Sequence, residues 1–152
     1  MVRMTAGAFL AMTCGVALSA EPVGAGEVLF KQHCAACHQA DGAGVPGLAP
    51  ALAQALGRHL ASPRVAEYFT QVLVAGLAGP IASGGQSFNS AMPAVSQLTD
   101  DEIAAILNFV ARALNGAAED RVTPADVVAA RRRGAGPTDS LRLRRVVLGG
   151  QP

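Results

Sequence analysis

The sequence predicts an all-α fold of three to five helices joined by glycine-rich loops. Three observations predict it: apolar residues recur at helical spacing in separate stretches, helix-starting residues stand before several of them, and no stretch alternates apolar and polar positions as a half-buried strand does. With 152 residues the chain has room for one compact domain and an appendage, not for a second full domain. It holds five Phe, one Tyr and no Trp, so aromatic slabs are scarce and something else must help fill the interior.

The first helix is expected from Gly24 to Cys37, with Val28, Leu29 and Phe30 apolar among Glu27, Lys31 and Gln32. Gly42, Gly44, Gly47, Pro46 and Pro50 then forbid regular structure from Gln39 to Pro50 and demand tight turns. Ser62 as N-cap and Pro63 as first residue open the next helix, in which Val65, Phe69, Val72 and Leu73 repeat to about Ala75. A second glycine-rich loop covers Gly76 to Asn89. Thr99 and Glu102 form a capping box for the last long helix, whose stripe is Ile103, Ile106, Leu107, Val110 and Leu114 before Asn115-Gly116 stops it. A shorter helix follows from Thr123-Pro124-Ala125-Asp126 to Arg133, and residues 141–148 leave strand, docking segment and disordered end open.

The two ends have characters of their own. Arg3 followed by the uncharged, mostly apolar Met4 to Leu18 and the small Ser19 and Ala20 reads as a secretory signal peptide over residues 1–20, too short for a membrane span. Cleavage near Ala20–Glu21 places the mature chain in the periplasm, with no transmembrane span expected. Residues 21–115 form the expected domain, with four basic and seven acidic side chains; residues 116–152 form an extension with seven Arg against four acids. That arginine run reads either as a solvated end or as an arm that docks on a partner. Nucleic acid is a poor partner, since the setting is extracytoplasmic and no aromatics are interleaved.

Cys34-Ala35-Ala36-Cys37-His38 carries the chemistry. A C-x-x-C-H run attaches haem c: thiols three residues apart reach the two vinyl carbons on one macrocycle edge, and the adjacent imidazole ligates iron. Zinc would need a second pair of ligands, and no second cysteine pair exists; a thioredoxin-like pair would need a βαβ context. Beyond the signal, Met92 is the sole methionine, standing at the end of the second loop before Pro93. As a soft, neutral thioether it suits the sixth coordination position of an electron carrier. His33 and His59 read as surface or supporting residues. One haem c, held by Cys34 and Cys37 with His38 and Met92 as metal ligands, is therefore the expected cofactor.

These residues, with Gly26 to Phe30, Pro50-Ala51-Leu52, Met92-Pro93 and Leu98 to Phe109, resemble the class I c-type cytochrome family over residues 24–115. The resemblance implies the cytochrome c fold. It implies that Gly26 and Phe30 let the first and last core helices cross closely, with Ile106 and Phe109 as partners. It further implies that the Pro50 carbonyl accepts a hydrogen bond from His38 Nδ1, that Leu52 presses on the haem and that Phe88 or Asn89 lines the methionine side. The groups that hold the propionates are left open, Arg58 and Gln54 being candidates, and Tyr68 serves either the propionates or the core.

The expected function is single-electron transfer between periplasmic redox proteins (dehydrogenase, oxidase or reductase), with no catalytic residues. The chain is a carrier or the electron-accepting subunit of a dehydrogenase. The alternative is a haem c enzyme or sensor with an open sixth position for peroxide or gas.

Overall fold

A computed structural model describes residues 23–149. The expected signal segment, with Cys14, lies outside the described residues. Six α-helices are present among the described residues: α1 Val23–His33, α2 Ala35–His38, α3 Val65–Ala75, α4 Asp100–Arg112, α5 Pro124–Arg133 and α6 Pro137–Leu148. The all-α expectation holds, and the count exceeds three to five for two reasons. The first helix breaks at Cys34, whose φ of −120° interrupts it before α2, and residues 141–148 are helical. No helix among the described residues is long and apolar enough to cross a membrane.

The packing centres on the crossing of α1 with α4. A Cβ added to Gly26 would stand 2.3 Å from the Ala105 carbonyl oxygen and 3.0 Å from Phe109 Cβ, so only glycine lets the two backbones approach this far. One turn on, the Phe30 ring lies 5.3 Å from that of Phe109 with the planes tilted by 47°, and Phe30 and Ile106 are fully buried beneath the contact. The start of α4 follows its sequence signal. Thr99 Oγ1 accepts from Glu102 N, and the Glu102 carboxylate accepts from Thr99 N at 2.8 Å. At the other end Asn115 ties the helix to a loop: its Nδ2 donates to the Val110 and Leu52 carbonyls at 2.9 and 2.8 Å, and its Oδ1 accepts from Leu56 N at 2.8 Å.

Two local expectations are corrected. Helix α3 begins at Val65, not at Pro63, because Arg64 keeps non-helical dihedrals; Ser62 Oγ instead accepts from Arg64 N in the turn before the helix. The second loop contains an antiparallel hairpin, β1 Ile81–Ser83 with β2 Gln86–Phe88, closed by Gly84 and Gly85 at φ 57° and 76°. Gly-Gly is a hairpin-turn signal, but strands of three residues are too short to show alternation.

The C-terminal extension folds back on the domain. Thr123 and Asp126 cap α5 reciprocally, and its buried Val127 and Ala130 face α3 and α4. Arg131 reaches the start of α4, donating to Asp100 Oδ1 at 2.7 Å and to the Ser96 and Leu98 carbonyls at 2.8 and 2.6 Å. Asn108 on α4 binds the backbone of Arg121 and Val122. Helix α6 lays the buried Leu143 and Val147 on α3.

Two stability measurements follow for the haem-loaded protein. Gly26→Ala should cost about 1–3 kcal/mol in denaturant unfolding, because the strain of the new methyl against backbone outweighs the gain in helix propensity. Gly24→Ala, where an added Cβ meets nothing within 4 Å, should be neutral or stabilising. Equal effects at the two sites would refute the close crossing. Asn115→Ala, which removes three hydrogen bonds, should cost about 1–3 kcal/mol and speed amide exchange at Leu56.

Candidate functional site: a haem cavity

Between the helices and the two loops lies a cavity of about 610 Å³, within the ~300–1,000 Å³ usual for cofactor sites. Cys34, Cys37 and His38 form one wall, at the junction of α1 and α2. That junction holds its shape through backbone bonds: Cys34 N donates to Phe30 O at 2.8 Å, and His38 N donates to Cys34 O at 2.9 Å. Cys34 is half-buried and Cys37 exposed, so one edge of the cavity opens to solvent beside the second thiol. Met92 lines the cavity from the far loop, where a two-way backbone pairing with Leu77, at 2.9 and 3.0 Å, fixes its position.

His38 is 6% exposed, and its Nδ1 donates to the Pro50 carbonyl at 2.9 Å. This bond sets the tautomer, leaving the Nε2 lone pair for a metal. Burial holds the imidazole below its ordinary pKa, with the Pro50 bond acting weakly the other way, so the ring is the neutral ligand form. Pro50 reaches it because the loop doubles back at Gly44. There φ is +75°, Gly44 N donates to His38 O at 2.9 Å, and an added Cβ would lie 2.6 Å from Ala49 O.

Burial, and then the adjacent Cys37 thiol, push Cys34 up to about 11. A redox-active pair needs a depressed thiol pKa, so this environment opposes the thioredoxin-like reading. Among the described residues no cluster of three or more His, Cys, Asp or Glu is placed to hold a metal ion, which opposes zinc as well.

The structure brings all six sequence candidates to one cavity: Cys34, Cys37, His38, Pro50, Leu52 and Met92 line it, together with Phe88, Gln54, Arg58 and Tyr68. Asn89 is not among the lining residues; His33 and His59 are, and His59 Nε2 accepts from Arg58 Nε at 3.0 Å. Tyr68 is buried in the core at 8% exposure and also lines the cavity. Sequence reasoning missed Arg144, which α6 carries to the cavity wall, and read Asn115 only as a helix stop, whereas it fixes Leu52 through its carbonyl. No motif announces either role, because both depend on contacts between segments distant in the chain.

An apolar, one-edged space with two thiols and a neutral imidazole on one wall and a thioether on a facing loop fits a flat macrocycle attached by its rim. Comparisons with known proteins agree. Residues 23–113 match the family model described as Cytochrome c. Two proteins of Thermus thermophilus, both named cytochrome c-552, are 45% identical over 80 residues, which is 53% of this chain. The chain spans 61% and 54% of the lengths of those relatives. In this family haem c is bound covalently through a C-x-x-C-H run, which Cys34, Cys37 and His38 supply here. The chain belongs to the cytochrome c family.

Proposed function

We propose that this chain is a single-electron carrier in which Cys34 and Cys37 bind one haem c through thioethers while His38 and Met92 ligate its iron. The haem supplies an iron centre that cycles between ferric and ferrous forms. The observation that carries the reading is the Nδ1 bond of His38 to the Pro50 carbonyl inside a cavity that Met92 also lines. The backbone pairing of Met92 with Leu77 supports a thioether held at fixed reach, which raises the potential relative to a weaker or absent ligand.

The open edge serves exchange with partners. Exposed Cys37, Ala36 and Pro46, with Leu48 46% exposed, give a small rim with apolar patches where an electron leaves or enters. Such a rim suits weak encounters burying less than about 1,200 Å². The partners are redox proteins of the periplasm, to which the signal segment directs the chain. The same reading extends to the electron-accepting subunit of a dehydrogenase. In that case the partner meets the outer face of the extension, where Arg132, Arg133 and Arg145 are exposed, because its apolar face is spent on α3. Peroxide chemistry would call for a base beside the iron, and one candidate nitrogen, His59 Nε2, already accepts from Arg58 Nε.

Met92→Ala should keep the covalent haem, lose the weak red-end absorption band of ferric iron bound by methionine, and lower the midpoint potential by at least about 0.1 V. An unchanged spectrum and potential would remove Met92 as ligand and return the open-site reading to favour.

A further inference from the structure

Arg144 on α6 is a buried cation in an unusual position. It is 9% exposed, and its Nη2 donates to the Ala82 carbonyl of β1 at 2.7 Å. Among the described residues no carboxylate lies within salt-bridge distance of it. A guanidinium carries five N–H donors, and one carbonyl bond leaves most of its charge uncompensated. Buried charges persist when they are paired, since the desolvation cost is several kcal/mol per ion. The side chain lines the cavity that holds Cys34, Cys37 and His38, and none of the residues lining that cavity is Asp or Glu.

The other polar groups on this side bring no negative charge. Tyr68, pushed up to about 12 chiefly by burial, with the charge and hydrogen bond of Arg144 acting the other way, keeps its proton and offers the guanidinium only a neutral oxygen. His59 is held below its ordinary pKa by burial, by Arg58 and by Arg144, and stays neutral. Arg58 is exposed at the mouth. The wall therefore presents two guanidinium groups and a phenol to a space with no anion of its own. A cofactor bearing carboxylates supplies what is lacking, and haem c carries two, its propionates.

We propose that Arg144, delivered by the extension that lies beyond the family-matched segment, pairs with a haem propionate and thereby couples the closure of α6 over the cavity to the presence of the cofactor. This rests on the haem reading above. The extension then acts as a clamp, not an appendage. Its apolar residues Leu143 and Val147 seat the helix on α3, the Ala78 amide donates to the Pro137 carbonyl at 3.3 Å, and the guanidinium closes the circuit from the inside. A bare propionate carboxylate favours the ferric, more positive state of the iron, and a paired guanidinium offsets that preference. Loss of Arg144 therefore lowers the potential.

The test uses the haem-loaded protein and its Arg144→Leu and Arg144→Lys variants. Pyridine haemochrome absorption first establishes covalent haem in each, and its absence from the wild-type protein would sink the haem reading itself, and this proposal with it. With haem present, Arg144→Leu should show a lower midpoint potential and faster amide exchange in residues 141–148, and Arg144→Lys should recover part of the potential. A potential equal to wild type in the leucine variant overturns the pairing even if α6 loosens, since a merely structural arginine would loosen the helix alone. Should the leucine variant fail to fold, proton NMR of the wild-type protein decides. Contacts between the Arg144 guanidinium protons and a propionate methylene are expected, and their absence from an assigned spectrum overturns the proposal.

Discussion

The approach of two backbones at Gly26 is the contact from which the rest of the site takes its position. Because Gly26 has no side chain, α1 rests directly on the Ala105 carbonyl of α4, and Phe30 then stacks against Phe109 one turn further along. That fixes where α1 ends, and the chain at its end is Cys34 to His38. The opposite wall is fixed from the same helix. Asn115, just past α4, holds the Leu52 carbonyl and the Leu56 amide, which positions the loop whose Pro50 carbonyl orients His38. One helix thus references both the thiols and the group that sets the imidazole tautomer.

The cofactor follows from packing as much as from chemistry. Protein interiors are close-packed, and a largely apolar cavity of about 610 Å³ left without an occupant would keep core side chains such as Phe69, Leu73 and Ile106 in contact with water. With no Trp and a single Tyr in the chain, aromatic side chains do not supply the missing volume. A haem attached there is the large apolar body that such a core lacks, and folding and attachment are expected to depend on each other. Covalent thioethers make that dependence safe for the protein, since the core cannot lose its largest piece.

Much of this was legible in the sequence, and the reasons differ by element. The C-x-x-C-H run is local, so Cys34, Cys37 and His38 could be read directly. The reciprocal caps at Thr99–Glu102 and Thr123–Asp126 are local as well, and both helices start where those signals place them. Met92 emerged by elimination, and Pro50, Leu52 and the Gly26 crossing through resemblance to a family. The hairpin at 81–88 stayed hidden because three-residue strands carry no period, and the start of α3 moved because Ser62 used its hydroxyl on a turn. Residues 141–148 were ambiguous for a clearer reason: three arginines among five aliphatic residues read as basic on every face. Only the tertiary placement separates Arg144, turned inward and buried, from Arg142 and Arg145, which are exposed.

Everything in this arrangement turns on a tetrapyrrole bonded to the two thiols at the end of the first helix and packed into the core of the fold. Its most direct test is intact and peptide mass spectrometry of the protein matured in a host with haem-ligation machinery. A single haem added to the chain is expected, carried by the peptide containing Cys34 to His38, with neither thiol available to alkylation. A folded protein of unmodified mass, with both thiols open to the reagent, would contradict it.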